Sequence, residues 1–160
     1  RGFKGKLTYA ALHETYSGIS FWEDLDYIGI DAYFGITNTN RPSFTQLING
    51  FQRLSARLGP FSKSKGKKII FTELGYNNLD GCTSRPWYWS GNTSSVDNME
   101  QAACYHAAFE ILPRQPWFAG MFWWAWETGD PPHPHAVSYS PQSKLAELIL
   151  EAYFLEKKKQ

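Results

Sequence analysis

The chain has 160 residues, 16 Lys plus Arg against 15 Asp plus Glu, and a formal charge of +1. That length suits one domain, which should bury about 70 % of its unfolded surface, and 7 Trp, 9 Tyr and 11 Phe exclude a disordered chain. Near-zero charge excludes the basic face that nucleic acid requires, and no run of about 18 apolar residues is present to span a membrane.

Four short apolar runs read as strands, with helices or loops between them. The first is Lys6 to Ala11. A short turn around Ser20 to Leu25 leads to the second, Asp26 to Tyr33, rich in aromatic and β-branched residues. Pro42-Ser43 opens a helix, with Gln46 placed for a capping box. Phe44, Leu47, Ile48, Phe51, Leu54 and Leu58 form its apolar face, and Gly59-Pro60 is expected to end or break it. The third strand is Lys68 to Glu73. Asp97 is expected to cap a helix through Leu112, with Glu100 completing a capping box and Pro113 as the stop. The fourth strand is Phe118 to Trp124, and Ser140-Pro141 opens a last helix with Leu145, Leu148, Ile149, Ala152 and Tyr153 on one face.

Runs that are apolar throughout, rather than alternating, fit strands covered on both faces, as in a parallel sheet. The order is therefore α/β with parallel strands. The long segments 34–41, 74–95 and 125–140 all follow strand C-termini, where α/β folds collect their chemistry.

Glu73 stands out because it ends an apolar strand, where an unpaired carboxylate is costly to bury. An ion pair or a hydrogen bond to a neighbouring Tyr would account for it structurally. Its company points further: Asp31 and Tyr33 end the second strand, Tyr76 and Asn77 follow Glu73, and Trp123, Trp124 and Trp126 surround the end of the fourth. A Tyr donating to a carboxylate fixes its orientation, and a Trp face matches the C–H face of a sugar ring. These residues suggest a carbohydrate site, although either Trp123 or Trp124 must face the core, since neighbours in a strand alternate.

The succession 6–11, then Leu25 to Phe34, then Phe71-Thr72-Glu73-Leu74-Gly75-Tyr76, then Gln101 with Tyr105, then Gly120 to Trp126 resembles glycoside hydrolase family 113. That family consists of endo-β-mannanase-like (β/α)8 TIM barrels of clan A, with a retaining mechanism. The resemblance implies that this chain is the C-terminal half of such a barrel, about four parallel β/α units. Residues 1–11 would supply strand five, 26–33 strand six, 68–73 strand seven, 118–124 strand eight and 141–155 the final helix. It implies that Glu73 is the nucleophile, Tyr33 its orienting partner, Trp124 or Trp126 the floor under the reacting sugar, and Tyr9 and Asp31 hydroxyl-binding groups. The expected partners are a polysaccharide or oligosaccharide and the N-terminal half of the same barrel, with no cofactor.

The family's acid/base Glu ends the fourth barrel strand, before the first strand here, and a retaining pair needs a second carboxylate about 5 Å away. Glu14 and Glu127 lie near strand ends but outside that motif. The isolated chain is thus expected to be inactive, or a carbohydrate-binding remnant, and Arg1 is expected to follow a longer N-terminal part. His133-Pro134-His135 lies in a Pro-rich stretch without a Cys or Glu cluster, so no metal is expected. Lys157-Lys158-Lys159 reads as a solvated tail. Cys82 and Cys104 are either buried thiols or a pair, and Asn92-Thr93-Ser94 is a glycosylation sequon that matters only on a secretory route. Localisation stays open, leaning extracellular.

Overall fold

The computed structural model describes residues 2–88 and 95–158, so the sequon and the last Lys of the basic run lie outside the described residues. Its four strands are β1 (Ala10–Leu12), β2 (Ile28–Asp31), β3 (Ile69–Leu74) and β4 (Phe118–Trp123). They form one sheet in the order β1-β2-β3-β4, every pair parallel. Three α-helices intervene: α1 (Phe44–Lys65) between β2 and β3, α2 (Asn98–Ile111) between β3 and β4, and α3 (Leu145–Lys157) after β4. Sequential order with parallel pairing is what repeated β/α units give when each connection has the same hand. No helix among the described residues is long and apolar enough to cross a membrane.

β1 is shorter and later than expected, because residues 6–9 are held by other means. Leu7 bonds to Asp26 through both its amide (2.9 Å, to the carboxylate) and its carbonyl (2.9 Å, from the amide), and the Thr8 hydroxyl donates to the Tyr27 carbonyl. The expected helix between β1 and β2 is only two 3-10 turns, Tyr16–Gly18 and Trp22–Asp24. The buried Trp22 donates its indole N–H to the Tyr16 carbonyl there (2.8 Å).

Ser43 caps α1 as the sequence predicts, with the Ser43–Gln46 capping box complete. The helix does not stop at Gly59-Pro60. It runs on to Lys65 and ends at Gly66, whose φ of 63° is the left-handed conformation a C-terminal glycine accommodates. Proline costs about 3 kcal/mol in a helix interior. The extra turn offsets that by setting Phe61 edge-on against Tyr16 (5.0 Å between centroids) and seating Ser62 under the Lys67 carbonyl. Leu47, Phe51, Leu54 and Leu58 are buried, whereas Phe44 is exposed and stacks near His106.

Asp97 caps α2 by accepting the Glu100 amide (2.9 Å). Glu100 does not return the bond; it serves the loop after β3, described below. α3 turns differently from the expected face. Ala146, Ile149, Leu150 and Tyr153 pack towards α2, and Tyr153 stacks on Phe109 (3.8 Å). Leu145, Leu148 and Leu155 remain exposed on the other side.

The main core lies between one face of the sheet and α1 and α2, built on Ile28, Ile30, Ile69, Phe71, Leu74, Leu47, Phe51, Leu58 and Leu112. The opposite face is open, with Leu12 58 % and Phe122 63 % exposed. Gly50 is where α1 passes the chain after β2, and a Cβ there would run into the side chain and carbonyl of Ile36. Gly→Ala inside a helix ordinarily stabilises by up to about 1 kcal/mol. Gly50→Ala should instead destabilise the chain by about 1–3 kcal/mol, from overpacking against backbone, as read by chemical denaturation followed by circular dichroism. A stability equal to or above that of the parent would contradict the packing described.

Candidate active site

β3 carries one residue too many for both of its neighbours. Against β2, Ile30 pairs with Phe71 but Asp31 with Glu73; against β4, Phe71 pairs with Met121 but Leu74 with Trp123. The extra residue therefore lies within Thr72-Glu73, a bulge enforced from two sides. Strict alternation would put Thr72 on the open face and Glu73 back among the helices with Phe71. The bulge lets both turn to the open face, and Leu74 resumes the buried side. Three hydrogen bonds pin the distortion: the Ala32 amide to the Glu73 carbonyl (2.6 Å), the Trp124 amide to the Leu74 carbonyl (2.8 Å), and the Thr72 hydroxyl to Asp31 Oδ1 (2.8 Å).

Glu73 is half-buried and accepts a hydrogen bond from the Tyr33 hydroxyl at Oε2 (2.7 Å). Burial, and then the hydrogen bond to Glu73 and its charge, push the Tyr33 phenol far above its ordinary range. Tyr33 is thus a permanent donor. Behind it stands Tyr139, which sequence reasoning missed because it lies in a loop without periodicity. Its ring meets Tyr33 edge-on (6.2 Å) and its hydroxyl donates to the Pro86 carbonyl. Gly75 allows this layer to close: a Cβ there would meet the Trp124 carbonyl and the Tyr139 ring.

The expected substrate-binding residues fall into three groups. Asp31, Tyr33, Trp124 and Trp126 lie at the C-terminal ends of the strands or just past them, with Trp124 48 % and Trp126 53 % exposed. Tyr76 and Asn77 are buried and turned to protein partners. Tyr76 packs its ring on Phe51, while Asn77 donates to the Tyr88 carbonyl (3.0 Å) and accepts the Leu79 amide (3.1 Å). Tyr9 precedes β1 and packs against Phe21 and Trp22 (5.4 and 6.3 Å), away from the strand end where Glu73 sits. Strand alternation separates the two Trp as expected: Trp123 stacks on Tyr105 (3.7 Å), and Trp124 faces outward.

The loops around the site are sewn together by side-chain amides. Asn78 donates to Asn98 Oδ1 and the Ala136 carbonyl and accepts the Ser138 amide; Asn98 donates to the Pro134 carbonyl. Gln101, buried on α2, donates to the Tyr76 carbonyl (2.9 Å) and reaches the Ser138 and Tyr139 carbonyls. Glu14 lies beside His13 (3.9 Å), and the Glu127 amide is held by Gln142. His133 and His135 sit exposed, the His135 amide donating to His133 Nδ1. Asp80, Asp97 and Glu100 lie close enough together to hold a cation, but each already serves a protein donor: Arg41, the Glu100 amide, and the Gly81 and Thr83 amides.

The profile of glycoside hydrolase family 113 matches residues 1–140. The chain belongs to glycoside hydrolase family 113. Among solved structures, this family 113 chain is similar to the family 113 β-mannanase from Alicyclobacillus acidocaldarius in complex with ManMIm. That likeness has a TM-score of 0.76 at 24 % identity, over 96 % of this chain and 46 % of that one. A family 113 β-1,4-mannanase, also solved as a complex, gives 0.74 at 23 % with the same coverage. The β-glucuronidase of Faecalibacterium prausnitzii gives 0.61 at 16 %, over 94 % of this chain and 25 % of that one. This family 113 chain thus has the fold of part of a TIM barrel and spans about half the length of the mannanases. No curated protein matches it.

The loop that carries Tyr139 is anchored by Lys144, 6 % exposed. Its ammonium donates to Ser138 Oγ (2.7 Å) and to the Ser140 and Ser138 carbonyls (2.8 and 3.4 Å). Burial lowers its pKa from 10.5 to about 8. Below about pH 8 the group is charged in both states and the folded chain bears the cost of burying it. Between about pH 8 and 10.5 the unfolded chain holds the proton that the folded chain has released, so this group's contribution to stability rises with pH. Urea denaturation should show the parent gaining stability relative to Lys144→Met across that window; a constant difference would contradict the assignment.

Proposed function

We propose that this chain is the C-terminal half of a retaining glycoside hydrolase acting on β-mannan-like polysaccharide, with Glu73 as its nucleophile. The observation that carries this reading is the 2.7 Å hydrogen bond from Tyr33 to Glu73 at the C-terminal end of a parallel strand, in a chain of family 113. In a retaining reaction one carboxylate attacks the anomeric carbon, and water then hydrolyses the glycosyl ester; a second carboxyl about 5 Å away gives and takes the proton. Glu73 suits the first role. Its side chain is turned to the open face by the bulge and fixed by a charge-assisted hydrogen bond, a type worth about 1.5–3 kcal/mol. Trp124 and Trp126 offer flat apolar platforms to the sugar ring beside it. Asp31 would bind a sugar hydroxyl.

In this reading the acid/base carboxylate comes from the other half of the barrel, strands one to four. Glu14 lies beside His13 and Glu127 is exposed, and both fall outside the motif in which the family carries its acid/base. The open face of the sheet and the exposed Leu145, Leu148 and Leu155 of α3 are the surfaces that half would cover. The choice of mannan rests on the two mannanases of like fold. With the acid/base assigned to that other half, a second reading follows, in which the isolated groove holds a glycan without turnover.

A dinitrophenyl 2-deoxy-2-fluoro-β-mannobioside separates the two, because its leaving group departs without an acid. Intact mass should rise by one glycosyl unit, mapped to the Glu73 peptide and absent in Glu73→Gln. No label on a chain that circular dichroism finds folded would overturn the armed nucleophile and leave the binding reading. Tyr33→Phe should label about tenfold to a hundredfold more slowly, the kinetic equivalent of one charged hydrogen bond; labelling at the parent rate would remove Tyr33 from its role.

A further inference from the structure

On the helix side of the sheet, α2 presents Glu100 and Cys104 one turn apart, 5 % and 0 % exposed. The loop after β3 descends onto this face. Glu100 accepts the Gly81 and Thr83 amides (2.9 and 3.2 Å), the Thr83 hydroxyl (2.9 Å) and the Cys82 thiol (3.6 Å). Those bonds bracket Cys82 on both sides and fix its sulfur against α2. Cys104 lies one turn further along the same buried helix face, within electrostatic reach of Cys82 and Glu100. The unpartnered hydroxyl of buried Tyr76 completes the cluster. All of these groups are buried on the helix side of the sheet, and two cysteines about twenty residues apart in sequence are brought to the same carboxylate.

We propose that Cys82 and Cys104 form an intramolecular disulfide, closed by a small-molecule disulfide such as oxidised glutathione, that ties the β3–α2 loop to α2. One cysteine thiolate attacks a glutathione sulfur and expels one glutathione thiolate. The second attacks the protein sulfur of the mixed disulfide and expels the other. The two cysteines lose two protons and two electrons, and oxidised glutathione takes them up as two thiols. The interaction with Cys104 and then burial raise the Cys82 thiol, and burial, partly opposed by the interaction with Cys82, raises that of Cys104. Thiolate is scarce at both positions in the folded chain, so the bond closes during folding and is then slow to reopen. The tethered loop carries Pro86, whose carbonyl receives Tyr139 behind Tyr33, so the cross-link stiffens the layer that positions Glu73.

The test is to refold the chain from denaturant in mixed oxidised and reduced glutathione and weigh it without reductant. The expected product has lost two hydrogen atoms. Cleavage after Glu73, Glu100 and Glu110 separates the two cysteines in sequence, so a linked pair of peptides identifies the bond. Its Tm should lie roughly 5–10 °C above that of the reduced chain, a difference absent in the Cys82→Ala/Cys104→Ala double variant. A chain with native circular dichroism that holds two free thiols, or two separate glutathione adducts, overturns the proposal, as does a Tm unchanged or lowered by oxidation. If the chain does not refold in vitro, the same mass comparison on chain exported to an oxidising periplasm decides, and free thiols there overturn it equally.

Discussion

A carboxylate at the end of an apolar strand has two faces to choose between, and the wrong one lies inside the helix layer, where an unpaired charge cannot be afforded. The extra residue at Thr72-Glu73 makes that choice. Because both neighbouring strands record the same offset, the bulge is held by two ladders, and neither can slip back without breaking its pairing to the other. The Ala32 and Trp124 amides close the gaps it leaves, and these belong to the residues just beyond β2 and at the end of β4. The three strand ends that carry Tyr33, Glu73 and Trp124 are therefore a single hydrogen-bonded unit.

Around that unit the loops have little regular structure, and their polar backbone groups must still be satisfied. Side-chain amides and one carboxylate do this. Asn78 and Gln101 receive the returning segment 136–139, and Glu100 receives the turn 81–83, each by two or more bonds. Two of these, Gln101 and Glu100, lie on α2, which explains why that helix is polar at positions that are nonetheless buried. α2 acts as a peg to which both long loops are tied, and the Tyr139–Tyr33–Glu73 stack inherits its rigidity from that tie.

The sheet is covered on one side only. Leu12, Phe122 and Trp124 project from the open face, and β1 and β4 each pair on a single edge among the described residues. Exposed apolar area of this kind, together with strand edges, is what a further sheet segment would bury. The outward leucines of α3 add to that exposed apolar surface.

Much of this was legible in the sequence. Apolar runs marked the four strands, the Ser43–Gln46 pair marked the start of α1, and the Thr72-Glu73-Leu74-Gly75 segment beside Tyr33 marked the site, because local composition and short-range periodicity govern those features. What failed did so where distant contacts outweigh local preference. Packing of Phe61 carried α1 through Pro60, and α2 selected which stripe of α3 is buried; Tyr76 and Asn77, expected from their place after Glu73, turn to the core, and Tyr9, expected from the resemblance, packs on Phe21 and Trp22. The sequence by itself determined a parallel α/β chain of family 113 type with its carboxylate at the end of the third strand. Only the tertiary structure decided which way that carboxylate points, because one residue of register offset reverses a strand's faces and register is set by the neighbouring strands.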